Sequence, residues 1–397
     1  MTSEIKFACA QKIFILAALT VVIVGASVDM FVPSLPSIHT VFNTSMQKTQ
    51  LIVAVYLVSY GIFQLIAGSI ADSFGRRKTL LFSLVGFVAS TLCIPICRDI
   101  NVLLGLRFMQ GIFAAGIGVC SRVLVSDVFS GVTLAKHASY LTFAWAIGPI
   151  FSPYLGGYLQ HIWGWQASFY FLGIYSLVIA LLIFFMLPET FTVLHRFHIK
   201  VILSNYLTIY FNKAFIASTL ACGCAYSFVT MYNVVGPFLI QQTLGYSAVV
   251  YGRIALVLGI GWLSGNLLCR KIVTQGSSDK VIYIVLSIGI VIAVSMLILA
   301  RIDYFNLWSA FIPPVLLFMV GGMLFSYCFG KCLSLFPHMG GTASAAMGSL
   351  YSVIAAAVSA LSTLITSKHL TPLAVSYLII IILALFFFHL RINTLRK

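Results

Sequence analysis

Twelve runs of roughly 20 apolar residues alternate with short polar breaks along the 397-residue chain. They fall near 12–32, 47–70, 79–97, 101–126, 137–160, 166–187, 213–240, 248–269, 281–300, 306–330, 342–367 and 371–390. A helix of about 20 residues crosses a hydrocarbon core of about 30 Å, so each run is long enough to span a bilayer. The period-2 alternation that marks barrel strands is missing, and the pattern predicts an all-α membrane protein with 12 transmembrane helices. The longest polar break follows Pro188 and contains VLHRFHIKVILSNYLTIYFNKAF, which is basic, aromatic and amphipathic enough to lie on a membrane surface. It predicts an N-terminal six-helix half over 1–190, a linker over 191–212 and a C-terminal six-helix half over 213–397.

Composition agrees with the pattern. The chain is 61% apolar and 8% charged, with a mean hydropathy of +1.08, whereas soluble domains carry about 25% charge. The first run resembles the core of a secretory signal, but no small-residue cleavage site follows it and it ends in Pro33 and Pro36, so it reads as a mature span. A net charge of +15 would favour nucleic acid in a soluble protein; here its distribution makes the bilayer the partner. Counted from an N-terminus inside, only Lys48, Arg98, Arg301 and Lys368 fall outside, and Arg107, Arg122 and Arg253 lie within spans. The other 16 of the 23 basic residues face inward, which by the positive-inside rule puts both termini in the cytoplasm and the chain in the cytoplasmic (inner) membrane. Nine cysteines are scattered without a CxxC pair and read as packing residues, with no metal site. His39, His137, His161, His195 and His198 read as solvated loop residues.

With eight acidic residues in the whole chain, Asp29 at the end of the first run needs a reason. Burying a charge at mid-membrane costs about 2.5–3.5 kcal/mol on insertion scales, so such a residue faces a cavity and finds a partner or loses its charge. Arg107, on the fourth span, is the nearest counter-charge expected, and a carboxylate whose protonation follows its access to water is what proton coupling requires. Asp29 as a plain cap of the helix end before Pro33 is the competing reading. Tyr56, Tyr60 and Gln64 share one face of the second span. Gln110, Tyr226, Met231, Tyr232 and Asn233 add polar and aromatic groups near the midplane of other spans. Together they suit a cavity for planar amphipathic compounds, with helix packing as the alternative for each residue.

The turn between spans two and three reads GSIADSFGRRK, residues 68–78. Gly68 permits close helix approach, Asp72 sets a charge just past the membrane, Gly75 allows a tight turn, and Arg76 and Arg77 hold the loop inside. This segment resembles the signature Gly-x-x-x-Asp-Arg-x-Gly-Arg-Arg of the major facilitator superfamily, with Ser73 at a usual Arg position. RFMQGIFAAG from Arg107, SRVLVSDVFSG ending at Gly131, WAIGPIFSPYLGG from Trp145, LPET and VDMFVPSLP extend the likeness to drug:proton antiporters of the bicyclomycin and chloramphenicol resistance type. The resemblance covers 15–190 well and 213–270 loosely, and Gln166 stands where the family often has Arg. A faint echo of SMQKTQLIVAVYLVSYGIFQLIAG in YSAVVYGRIALVLGIGWLSGN fits the parallel repeat of that fold.

The resemblance implies the major facilitator fold and alternating access, with outward transport suggested by the pattern Gly148, Pro149, Pro153, Gly156 and Gly157 in the fifth span. Physically those residues should bend that helix and press it against a neighbour. Asp72, Arg76 and Asp127 are expected to form a gating cluster on the cytoplasmic side, with Arg122 beside it and the start of the eleventh span, GGTASAAMGS, close by. No P-loop is present to bind ATP, so the expected energy source is the proton gradient, with no cofactor. The expected function is proton-coupled efflux of small amphipathic or drug-like molecules by a monomer. A dedicated carrier for one metabolite such as a siderophore is the alternative, and an intramembrane enzyme lacks any nucleophile or metal cluster in the sequence.

Overall fold

The computed structural model describes residues 3–190, 199–274, 278–302, 304–364 and 369–395. The N-terminal part holds α1 (Ser3–Asp29), α2 (Leu35–Val41), α3 (Met46–Phe74), α4 (Arg76–Cys93), α5 (Ile100–Val128), α6 (Gly131–Trp163) and α7 (Gln166–Met186). Then follow α8 (Ile199–Tyr210), α9 (Lys213–Phe238), α10 (Ala248–Thr274), α11 (Ser278–Arg301), α12 (Leu307–Ser334), α13 (Gly340–Ser362) and α14 (Thr371–Leu395). The twelve long helices coincide with the twelve apolar runs, and α2 and α8 are short additions. Residues 191–198 of the expected linker, with His195 and His198, and the end of the eleventh run at 365–367 lie outside the described residues.

Among the described residues eleven segments are long and apolar enough to cross a membrane. The long helix missing from that set is α6, whose prolines, glycines, serines and tyrosines dilute its apolarity. Its place is nevertheless inside the bundle, packed on α1 and α10. Helices also outrun the apolar runs: α6 starts at Gly131 and α3 ends at Phe74. Hydropathy marks only the stretch in hydrocarbon, whereas a helix continues until a cap or a breaker stops it. Caps start several of them, with Asn212 accepting from Phe215 N–H at 2.9 Å and Asn306 from Ser309 N–H at 2.9 Å. Gly75 (φ +96) and Gly164 (φ +84) end α3 and α6 in backbone conformations that other residues rarely adopt.

Two seams join the first six long helices to the last six: α3 lies along α13, and α6 along α10. In span order these are the second with the eleventh and the fifth with the eighth, so exchanging the two sets of six converts one seam into the other. The α6–α10 seam is built on backbone. A Cβ added at Gly157 would stand 2.6 Å from Ala248 O, and one at Gly252 2.8 Å from Pro153 O. On its other flank α6 meets α1 as closely, with Gly148 against Ala26 N and Gly156 against Met30 O. The prolines of α6 leave it one continuous helix, and its glycines press it onto both neighbours. One and two turns beyond the Ile150–Gly259 contact, Ile147 and Phe143 are exposed.

Across the α3–α13 seam lies α8. Its Tyr206 hydroxyl donates to Leu65 O of α3 at 2.8 Å and its Tyr210 hydroxyl to Ala346 O of α13 at 3.1 Å. Burial, with Tyr210 alongside, pushes the Tyr206 phenol up to about 12, so it stays a donor throughout the physiological range.

Candidate functional site

α1 ends at Asp29 because Pro33 and Pro36 lie just ahead; the chain passes through one short turn, Val32–Ser34, and resumes as α2. Helix ends leave carbonyls without partners, and here a cation supplies one. Arg107 of α5 donates from Nη1 to Ser27 O at 3.1 Å and from Nε to Ile52 O at 3.4 Å. Nη1 also reaches Gln110 Oε1 at 2.5 Å, and Gln110 in turn donates to Thr91 Oγ1 at 2.7 Å. The guanidinium lies between two ring faces, 4.3 Å from the centre of Phe31 and 4.4 Å from that of Tyr56. Tyr56 is fixed by a 2.5 Å hydrogen bond between its hydroxyl and Ser27 Oγ. A fully buried positive charge is thus held by carbonyls, a helix C-terminus and π-faces. Its Nη2 is buried with no hydrogen-bond partner among the described residues.

Asp29 is 2% exposed, which removes it from the solvated cap position. No ion pair joins it to Arg107 among the described residues; its Oδ1 accepts from Asn233 Nδ2 of α9 at 2.6 Å. The two charges expected to pair are therefore neighbours held by neutral groups: carbonyls, an amide and rings around Arg107, and an amide on Asp29. Around this bond, Gln50 donates to Val234 O at 3.1 Å and Gln241 to Pro33 O at 2.9 Å.

Next to Tyr56 opens a cavity of about 20 Å³ lined by Val24, Val28, Tyr56, Leu57, Tyr60, Trp145, Tyr226, Tyr351 and Ser352. Such a volume holds about one water, well below the ~300–1,000 Å³ of ligand pockets. The lining joins α1, α3 and α6 to α9 and α13. Tyr56, Tyr60 and Tyr226 are there as expected; Trp145 and Tyr351 were not singled out in the sequence, though each is an aromatic residue in an apolar run. The other residues expected in the cavity lie elsewhere. Gln110 serves Arg107, Asn233 serves Asp29, and Gln64 accepts from Arg122 Nη2 at 3.3 Å. Tyr232 donates to Ala310 O at 3.2 Å and stacks on Tyr251, and Met231 is buried packing. Polarity in an apolar run marked these side chains, but it does not say which face of the helix they occupy.

At the opposite end of the N-terminal six, Arg76 bonds Asp72 and reaches Asp127 Oδ2 at 3.4 Å, and Thr190 donates to Asp127 at 2.8 Å. Glu189 of the LPET segment accepts from Arg76 N–H at 2.9 Å and from Arg77 N–H at 3.3 Å, capping α4 where Gly75 has no side chain to do so. Arg77 Nη2 donates to Phe184 O at 2.6 Å. A Cβ at Gly75 would lie 2.8 Å from Glu189 Oε2, the movable end of a side chain, so it is the φ of +96 that calls for glycine there. Gly68 has ordinary contact with Val119. Arg122 stands apart from this cluster, on Gly118 O and Gln64, and the start of α13 at Gly340 and Gly341 opens onto free space. His137 is also not solvated: it is buried, with its ring 3.7 Å from that of Phe129. Among the described residues no three His, Cys, Asp or Glu side chains are placed to hold a metal ion.

The sequence profile of the Major Facilitator Superfamily matches residues 17–360. The chain belongs to that superfamily. The fold and family are those of transporters rather than enzymes. The transporter is similar to the bicyclomycin resistance protein homolog of Haemophilus influenzae, 24% identical over 336 residues and 84% of each chain. It is 25% identical to multidrug resistance protein D of Escherichia coli over 364 residues, 89% of each chain. The fold of the D-xylose-proton symporter superposes with a TM-score of 0.75 at 17% identity, over 95% of this transporter and 96% of that chain. That of a bacterial homolog of the human lysosomal transporter Spinster superposes with a TM-score of 0.77 at 12% identity, over 100% and 98%.

Proposed function

We propose that this transporter expels small, planar amphipathic molecules across the cytoplasmic membrane in exchange for protons, by alternating access, with both termini inside. The observation that carries the reading is a buried carboxylate, Asp29, hydrogen-bonded from α1 to α9, close to a tyrosine-rich cavity that lies between the two sets of six helices. Similarity to multidrug resistance proteins supports the substrate class. Asp29 carries the coupled proton, Arg107 biases its charge, and the cluster of Asp72, Arg76, Asp127 and Glu189 stabilises one of the alternating arrangements. Tyr56, Tyr60, Trp145, Tyr226 and Tyr351 receive the substrate, and the cavity widens to admit it.

The test is transport into proteoliposomes driven by an imposed pH gradient. The wild-type protein is expected to accumulate an aromatic amphipathic dye against its gradient. Asp29→Asn should abolish accumulation while leaving dye binding within about threefold, since the neutral side chain keeps the site and loses the proton. Uphill transport persisting in Asp29→Asn would sink the coupling role, and transport of a single metabolite with no dye response would replace the polyspecific reading with that of a dedicated carrier.

A further inference from the structure

Four hydrogen bonds cross directly from the first six long helices and their loops to the last six and theirs among the described residues. Gln50 and Gln241 end on backbone carbonyls, Val234 O and Pro33 O, and Arg253 meets the Tyr158 hydroxyl on an exposed face. The fourth runs from Asn233 Nδ2 to Asp29 Oδ1, and it alone ends on a carboxylate. Asn233 is 6% exposed and Asp29 2%, so water competes little for either group.

We propose that Asn233 is a positioning residue through which the charge on Asp29 sets how firmly the two halves close at this end. The inference rests on the proton-coupling role given above to Asp29. A carboxylate receiving an N–H forms a charge-assisted bond roughly twice as strong as a neutral one. When Asp29 takes a proton from water its charge is lost. Protonated on Oδ2 it still accepts the Asn233 N–H at Oδ1, but as a neutral and weaker partner; protonated on Oδ1 it sets an O–H against a donor, so that the amide turns or the pair separates. Either way the tie between α1 and α9 weakens, while the two glutamine ties, which hold no titrating group, stay as they are.

The ionisable groups facing Asp29 are Arg107 on α5, Tyr56 on α3, Tyr226 on α9 and Tyr251 on α10. Phenols ordinarily titrate near 10, so among the groups around Asp29 the standing charge at physiological pH is that of Arg107. It is fixed by Ser27 O, Ile52 O and Gln110 and belongs to the same six-helix set as Asp29, so it influences the carboxylate without bridging the closure.

The experiment measures the separation of fluorophores introduced by non-canonical amino acids at the exposed positions Gln47 and Tyr246, one on each side of this end, in full-length protein in nanodiscs between pH 5 and pH 9. Wild type should shift toward the separated population as pH falls. Asn233→Leu and the smaller Asn233→Ala should reduce that pH-dependent shift at least tenfold, and Asn233→Gln, which still donates an N–H, should restore part of it. A wild-type response in either apolar variant, with Asp29→Asn unresponsive, overturns this inference and leaves the coupling role intact. A response that survives in Asp29→Asn as well overturns both.

Discussion

Arg107 holds a full charge in the interior with neutral partners, and the geometry of its fork is what makes this possible. Five donors in one plane allow it to serve Ser27 O, Ile52 O and Gln110 together while both faces stack on rings. A lysine at this position has a point charge and no flat face. Arg107→Lys should therefore lower transport at least tenfold and also lower the thermal midpoint of the purified protein; wild-type values for both would contradict the role of the fork. At this scale the sequence was readable where rarity did the work. Asp29 and Arg107 stand out because charge is scarce in apolar runs. Their partners were not readable, because Asn233 lies 204 positions from Asp29 and a neutral amide leaves no charge pattern to follow. Glu189 was in view in LPET, but only the folded chain brings it to the bare start of α4.

Among the helices, ends carry more information than middles. α4 begins with no side-chain cap of its own and borrows one from Glu189, more than a hundred residues away in sequence. Loss of a cap costs about 0.5–2 kcal/mol. Glu189→Gln, which keeps the shape and drops the charge, should lower the thermal midpoint by a few degrees in detergent, and an unchanged midpoint would show that the contact contributes nothing. α8 is the other informative element. Amphipathic character predicted a segment suited to the membrane surface; the segment folds as a helix whose two tyrosines tie it to both α3 and α13. Tyr206→Phe and Tyr210→Phe together should speed exchange between the transporter's arrangements in single-molecule fluorescence, while either change alone should have a smaller effect. α6 shows where hydropathy loses its reach, since the prolines and glycines that dilute its apolarity are the ones that let it press on α1 and α10.

For the molecule as a whole, fold class and the twelve long helices were legible because a bilayer imposes one length and one polarity on every crossing. The pairing of α3 with α13 and of α6 with α10 was not, since lipid-facing and protein-facing sides are equally apolar. Orientation is a matter of loop charge, so reporter fusions at Asn43 and Arg98 should both report the outside, and an inside signal from either would refute the assignment. The glycine-lined contact between α6 and α10 bears on energetics. Leucines there would each bury side chains worth about 1.5–3 kcal/mol, and prising several apart would exceed the roughly 2.3 kcal/mol that one charge gains per 100 mV. Gly157 and Gly252 bring main chains together with no side chain of their own to re-wet on parting, and Gly259 adds none to the Ile150 it receives. At those glycines the joint adheres lightly by composition, and under the proposed coupling a single proton falling through the membrane potential is a large enough impulse to work it.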